Sequence, residues 1–232
     1  MTPLFIIPAR GGSKSIPGKN IKPLAGKPLI CHSIEVALKV APESRIIVTT
    51  DSEQIAITAR DAGISRPYMR PAALGADNVG SREVLLDAMD EADRRGIAYD
   101  CVVLLQPTSP LRTADDVLKT IEAFGPGVDM AVTVTESAAN PYYDCFETGA
   151  DGYLHVSKGD GLITRRQDAP KAWQYNGAVY VIRPESLRRF RLGELPCRVG
   201  VEMPRNRSID LDTPTDWLIA ETLIGQSGNH NT

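Results

Sequence analysis

Histidine, cysteine and aromatic residues are scarce in this 232-residue chain, and no apolar run is long. The three histidines, His32, His155 and His230, stand in no HExxH pattern, and no GxSxG elbow is present, which removes zincin chemistry and histidine-assisted serine hydrolysis. Cys31, Cys101, Cys145 and Cys197 are too dispersed for a CxxC pair or a knuckle; neither zinc nor an iron–sulfur cluster is expected, and they read as free thiols. The most apolar runs, residues 4–7 and 101–105, fall far short of the ~20 residues that span a bilayer, so no membrane partner is expected. MTPLFIIPAR has no basic segment ahead of its apolar run, so it does not read as a secretory signal, and a cytoplasmic location is expected. An excess of positive charge is also missing: 26 Lys and Arg stand against 29 Asp and Glu, a formal charge of −3. That argues against a sequence-independent nucleic-acid binder, which needs a basic face for phosphates.

What remains is ordinary globular composition, 42% apolar and 24% charged, at a length that suits one large domain. The run at 4–7 ends in Pro8 and a Gly-rich loop, the pattern of a buried strand entering a turn. Residues 29–39 carry Ile30, Ile34, Ala37 and Leu38 at helical spacing. A β-branched strand at 46–50 leads into Asp51 and Ser52, read as the cap of a helix over 53–62. Ser81 is read as the cap of a helix whose inward face is Val84, Leu85, Ala88, Met89 and Ala92. After the strand at 101–105, Thr113 and Asp116 form a capping box, and a strand follows at 130–135. This alternation predicts an α/β fold with a mostly parallel sheet covered by helices on both faces.

Residues 140–171 break that rhythm and are read as an insertion, rich in Gly, Asp and Pro and carrying the basic pair Arg165 and Arg166. Strands are expected again at 177–182 and near 198–202. A final helix is expected from Pro214, with Thr213 as cap and Asp216 closing the box. Residues 1–224 thus form one domain and 225–232 a mobile tail.

The densest chemical signal is IPARGGSKSIPGKN, residues 7–20. Ligands of α/β sheets bind at the carboxyl ends of strands, where this loop belongs. Its glycines allow backbone N–H groups close to a phosphate, and Arg10, Lys14 and Lys19 offset negative charge; a solvated basic loop has the same composition. Neither GxGxxG nor GxxxxGK[ST] is present. Pro23 and Gly26 prevent a helix directly after Lys19, so loop amides and side chains, not that helix's dipole, must hold the phosphates.

Asp210 and Asp212 flank Leu211 just before the last helix. In extended backbone, residues i and i+2 share a side, so both carboxylates can face one Mg²⁺; alternatively Asp212 serves the helix N-terminus and Asp210 is solvated. Asp51 reads as a helix cap alone. Gln106, in QPTSPLR at the end of the most apolar strand, offers an amide to a hydroxylated ligand or serves only the turn. Arg70 and Asn176 sit at strand edges facing the expected cleft, and taken alone each favours a structural role.

Taken in order, IPARGGSKSIPGKNIKPLAGKPLI, RPAAL, LLQPTSPLRTADD, RRQDAPKAWQYNGAVYV and DLDTPTDW resemble the bacterial CMP-sialic acid synthetases, or acylneuraminate cytidylyltransferases, including their legionaminic-acid branch. The resemblance runs from residue 3 to 217 and is closer than that to the CMP-Kdo synthetases, whose loop lacks GGSK. It implies a Rossmann-like three-layer nucleotidyltransferase fold with a small inserted dimerisation region. It further implies transfer of CMP from CTP to a nine-carbon 2-keto-3-deoxy sugar acid, with Mg²⁺ and release of pyrophosphate. By motif, Arg10, Lys19 and Asp212 would be catalytic. The nucleotide would be held by Arg10, Gly11, Gly12, Ser13, Lys14, Lys19, Asn20, Arg70 and Ser81. Asp210 and Asp212 would hold the metal, and Gln106 and Asn176 would face the sugar acid. Family members are homodimers, which makes Arg166 a candidate to enter a partner's cleft. Ser15 stands where the family commonly has glycine. A related nucleotidyltransferase for another sugar, and a non-catalytic nucleotide-binding module, are the competing readings.

Overall fold

The computed structural model describes residues 1–76 and 79–228. In chain order the elements are β1 (Pro3–Ala9), β2 (Pro23–Leu24), β3 (Lys27–Pro28), α1 (Leu29–Val40), β4 (Ile46–Thr50), α2 (Glu53–Asp61), β5 (Tyr68–Met69), α3 (Ser81–Arg94) and β6 (Cys101–Leu105). They continue with α4 (Ala114–Ala123), β7 (Met130–Glu136), β8 (Phe146–Thr148), β9 (Leu154–Val156), β10 (Trp173–Ile182), α5 (Pro184–Arg189), β11 (Arg198–Glu202) and α6 (Pro214–Gly228).

Seven strands form one sheet in the order β11-β7-β10-β6-β1-β4-β5. β10 runs antiparallel to both of its neighbours, and the other pairings are parallel. Residues 4–7 are apolar without a break because alternate side chains enter two different cores. Phe5 and Ile7 pack with Ile30 and Ile34 of α1, Ile55 of α2 and Val117 of α4. Leu4 and Ile6 pack on the opposite face with Leu85 and Met89 of α3 and Leu187 of α5. The expected three-layer α/β arrangement with a mostly parallel sheet is therefore present.

A third, smaller apolar cluster gathers Ile16, Leu24, Leu29, Leu211, Trp217 and Ala220. Its members come from the Gly-rich loop, the β2–β3 hairpin, α1, the segment before α6, and α6 itself. It is the packing unit that holds the first loop against the end of the chain.

Local expectations hold at several caps. The Thr113–Asp116 box is complete, each side chain bonding the other's backbone N–H, and Thr213 and Asp216 reproduce it ahead of α6. Four local readings need correction. Pro8 does not end β1, which stays paired with β4 through Ala9; the pairing with β6 has already stopped at Ile6, a setting where proline is tolerated. Gly80, not Ser81, caps α3, and Ser81 is its first residue. Asp51 is no cap at all: Ser52 occupies that position, without a side-chain bond. Finally, α6 continues to Gly228, so residues 225–228 are helical rather than a tail, and 229–232 lie outside the described residues.

The expected insertion contains the antiparallel hairpin β8–β9. Its large apolar side chains are exposed, Phe146 at 53%, Tyr153 at 72%, Leu154 at 69% and Leu162 at 77%, so it builds no core of its own. Among the described residues, no helix is long and apolar enough to cross a membrane.

All four cysteines are free thiols. Burial, with help from Asp100, pushes the Cys101 thiol up to about 12, and burial also raises Cys31, so neither supplies thiolate near neutral pH. With a thiol-specific reagent at mildly alkaline pH, the exposed Cys197 should label first, whereas Cys31 and Cys101 should label only on unfolding. Mass mapping of the modified peptides checks this order.

Candidate active site

A cleft of about 510 Å³ opens at the carboxyl ends of β1 and β6. One wall is the Gly-rich loop with Arg10, Ser13, Lys14, Lys19 and Asn20; another is Arg70 with Val79, Gly80 and Ser81. Gln106 and Thr108 form the floor, and Asp210 and Asp212 stand opposite the cations. The same two aspartates border a second chamber with Gln174, Tyr175, Asn176 and Arg205. They therefore sit where two ligands would meet.

The Gly-rich loop is shaped by local bonds. Lys19 N–H donates to the Ile16 carbonyl (3.1 Å) and Ile21 N–H to that of Gly18 (3.0 Å), with Gly18 at φ +62°, a conformation that glycine adopts without cost. Asn20 closes the loop by donating from Nδ2 to the Arg10 carbonyl at 2.9 Å. The first amides of α1 are already used: Leu29 N–H donates to the Lys22 carbonyl and Ile30 N–H to the Asn20 carbonyl. As the sequence implies, this helix N-terminus offers no anion site.

Leu211 decides how the acidic pair is presented. It is fully buried in the third cluster and its N–H donates to the Thr108 carbonyl at 2.8 Å. Residues 210–212 are not the extended segment that the sequence predicts: the Asp212 N–H donates to the Asp210 carbonyl at 3.1 Å, closing a tight turn about Leu211, and both aspartates line the cleft while Leu211 is buried. Lys19 then joins the two walls: Nζ donates to the Leu211 carbonyl at 2.6 Å and lies 3.8 Å from Asp212 Oδ1.

The two carboxylates are not equivalent. Asp212 is open to solvent, with its side chain 76% exposed. Burial raises the Asp210 carboxyl above its ordinary range, with Asp212 pushing the same way; a hydrogen bond from Thr108 and the charge of Lys19 oppose this. Asp210 Oδ1 is buried without a hydrogen-bond partner. An acceptor left unsatisfied beside a second carboxylate suits a hard cation. No group of three or more His, Cys, Asp or Glu able to hold a metal occurs among the described residues, but Mg²⁺ does not need one where a substrate supplies phosphate oxygens. The residues present thus fit Mg²⁺.

Arg112 lies fully buried beneath this floor. Its guanidinium donates to the carbonyls of Ala178 (2.9 Å) and Gln106 and to Ser33 Oγ (2.7 Å). Burial lowers its pKa to about 9, while Asp210 and Asp116 pull it back up, so it is charged at neutral pH and holds the Gln106 turn from behind.

Of the expected site residues, Arg10, Ser13, Lys14, Lys19, Asn20, Arg70, Ser81, Gln106, Asp210 and Asp212 line the main cleft. Gly11 and Gly12 are exposed and do not line it, and the Gly11 N–H is spent on Asp51 Oδ1 at 2.8 Å. Asn176 borders the second chamber, with its amide already satisfied: Oδ1 accepts from Thr133 Oγ1 (2.7 Å) and Ala178 N–H (3.1 Å), and Nδ2 donates to Ser208 Oγ (2.9 Å). It is placed to shape that chamber more than to read a ligand. Arg166 borders neither chamber; on the insertion it bonds Asp144 and the Ala138 carbonyl.

Sequence reasoning missed Gly177, at the irregular register of β10 between Tyr175 and Tyr180. At φ +74° it is crowded: an added Cβ would lie 2.9 Å from Ser109 Oγ, 3.0 Å from Gln106 Oε1 and 3.1 Å from Asp210 Oδ2. The one available signal was a glycine inside a strand pattern, which marks a bulge or a close approach.

A family model described as cytidylyltransferase matches residues 4–189. The chain is 32% identical over 222 residues to "CMP-N,N'-diacetyllegionaminic acid synthase" of Legionella pneumophila, covering 95% of each chain. It is 30% identical over 223 residues to "Pseudaminic acid cytidylyltransferase" of Campylobacter jejuni, covering 96% of each. "N-acylneuraminate cytidylyltransferase" of Streptococcus agalactiae is 34% identical over 94% of this chain, which spans about half (52%) of that longer relative. Among solved structures, a CMP:2-keto-3-deoxy-manno-octonic acid synthetase complexed with CTP superposes with a TM-score of 0.71 at 20% identity, over 98% of this chain and 100% of that one. That likeness establishes the shared fold.

Replacing Gly177 by Ala should force the Gln106, Ser109 and Asp210 side chains apart and strain the backbone. The expected loss is about 1–3 kcal/mol of stability. Urea unfolding of the variant measures it, and unchanged stability would show that this position tolerates a Cβ.

Proposed function

This chain belongs to the cytidylyltransferase family, and we propose that it activates a nonulosonic (nine-carbon 2-keto-3-deoxy) acid with CTP, giving the CMP-sugar and pyrophosphate. The observation that carries the proposal is one cleft in which Arg10, Lys14, Lys19 and Arg70 face Asp210 and Asp212. Cations suit a triphosphate, and paired carboxylates suit the metal that accompanies it. Relatives named for legionaminic, pseudaminic and N-acylneuraminic acids support the substrate class and leave its member to experiment.

The reaction is an in-line displacement. The anomeric hydroxyl oxygen of the sugar acid bonds to the α-phosphorus, and the bond from that phosphorus to the bridging oxygen breaks as pyrophosphate leaves. Catalysis of this kind rests on positioning and on charge stabilisation, and no covalent enzyme intermediate is required. Arg10, Ser13, Lys14 and Lys19 bind the triphosphate, with Asn20 holding the loop closed; Arg70 and Ser81 flank the nucleoside. Lys19, fixed by the Leu211 carbonyl, offsets charge that accumulates as the bond breaks. Asp210 and Asp212 would hold Mg²⁺, which supplies charge neutralisation on phosphate oxygens and greater acidity to a bound hydroxyl. The sugar acid occupies the second chamber, with Gln106 at its entrance and Arg205 as a cation among its lining residues.

A homodimer completes the reading. The insertion exposes Phe146, Tyr153, Leu154 and Leu162, and a second copy would bury them. Arg166 on the same insertion would then reach the neighbour's cleft, where a guanidinium can grip a carboxylate in bidentate fashion. Free thiols and a CTP requirement fit a cytoplasmic location.

Pyrophosphate release from CTP, measured across nonulosonic acids and an eight-carbon 2-keto-3-deoxy acid, tests the function directly. Activity confined to the eight-carbon acid, or to another nucleotide, would overturn the substrate assignment.

Asp212→Asn should leave the melting temperature unchanged and lower kcat about 10²–10³-fold with little change in KM for CTP, because it removes ligand charge and keeps shape. Near-normal turnover at saturating Mg²⁺ would refute the metal assignment. For Arg166, subunits carrying Arg166→Ala are mixed with subunits carrying Asp212→Asn. If Arg166 acts across the interface, a mixed dimer has one site with both defects and one with neither, so random exchange should restore about a quarter of wild-type activity. No recovery despite confirmed exchange would assign Arg166 to its own subunit.

A further inference from the structure

Asp51 has the position expected of a helix cap and makes none of a cap's bonds, because its carboxylate turns away from α2. Oδ1 accepts the Gly11 N–H at 2.8 Å and lies 3.8 Å from Arg70 Nη2. Oδ2 fills the space that a side chain at position 75 would need: a Cβ on Gly75 would lie 2.0 Å from it and 2.9 Å from Cγ. Beside it, Ser52 Cβ would stand 3.0 Å from a Cβ on Gly11, so the loop after β1 rests directly on the β4–α2 turn. Three separate segments, the Gly-rich loop, the end of β5 and the turn Ala72–Gly75, thus meet on one carboxylate.

Arg70 shows why that matters. Its side chain is only 3% exposed, its N–H is fixed to the Thr50 carbonyl at 2.8 Å, and its Nε is buried without a hydrogen-bond partner. A guanidinium so enclosed keeps its orientation only through charges placed around it. Among the described residues the carboxylate within 4 Å of it is that of Asp51, with Asp87 acting in the same direction and Arg10 opposing. Arg70 lines the main cleft together with the cations of the Gly-rich loop.

We infer that Asp51 is a positioning residue for the nucleotide, tying the start of the Gly-rich loop and Arg70 to one carboxylate at the edge of the cleft. An added Cβ at Gly75 would displace this carboxylate, and one at Gly11 would press on the Ser52 Cβ at 3.0 Å. The inference rests on the functional reading above and adds to it a residue that touches no substrate.

The test compares Asp51→Ala, the shape-preserving Asp51→Asn, Gly75→Ala and the Asp51→Ala/Gly75→Ala pair, with CTP binding by calorimetry, KM for each substrate and melting temperature. Losing a charge-assisted contact of this kind should raise Kd and KM for CTP about 10- to 100-fold in Asp51→Ala, and less in Asp51→Asn. KM for the sugar acid should move by less than about threefold. Gly75→Ala should reproduce the CTP defect by displacing the carboxylate, and in the Asp51→Ala background it should add nothing, the signature of a shared interaction. Wild-type CTP affinity in a folded Asp51→Ala or Asp51→Asn overturns the assignment. So do equal losses for both substrates with a lowered melting temperature, or a Gly75 effect that adds in full. If the unchanged protein bound no CTP, the functional reading itself would fall, and this one with it.

Discussion

The small apolar cluster around Leu211 is the constraint on which the cleft depends. Ile16 from the first loop and Trp217 from the last helix pack on it, so two stretches nearly 200 residues apart become the facing walls of one site. The buried Leu211 also sits in a tight turn closed by the Asp212 N–H on the Asp210 carbonyl, and both flanking aspartates line the cleft. Hydrophobic packing, the non-directional force, here helps to place two charges.

Those charges are arranged so as not to neutralise one another fully. Lys19 bonds a carbonyl at 2.6 Å and stands 3.8 Å from Asp212, close enough to orient and too far for a strong ion pair. Asp210 keeps a buried oxygen unsatisfied, and Arg112 lies underneath, bonded to carbonyls and a hydroxyl. Preorganised charge of this sort is useful in phosphoryl transfer, since little rearrangement is needed as charge moves. Its cost is borne by the three-layer scaffold, whose two large cores hold the strand ends that carry the site.

The insertion follows a different logic. Its hairpin lacks the apolar mass to form a core and leaves its large side chains outward. Its local order comes from short-range bonds, such as Tyr153 N–H to Asp151 and Arg166 to Asp144. Such a segment can change length or sequence without disturbing the sheet.

Much of the fold was legible because it rests on local rules. Apolar runs of four to seven residues became buried strands, and the Thr113 and Thr213 boxes stood where their spacing indicated. The cation-rich loop and the Asp210–Asp212 pair, singled out from residue type and spacing, line one cleft. Asp51 was misread because a carboxylate after a strand and before a helix has the local signature of a cap, while its partners Gly11 and Arg70 lie 40 and 19 residues away. Gly177 went unnoticed because the need for an absent Cβ comes from Gln106, Ser109 and Asp210, none of them a sequence neighbour. The sequence by itself determined most elements and the Thr113 and Thr213 capping boxes, all of which depend on spacing within a few residues. Only the tertiary structure decided which carboxylate meets which cation, because distances across a sheet are set by packing of remote segments and not by their order along the chain.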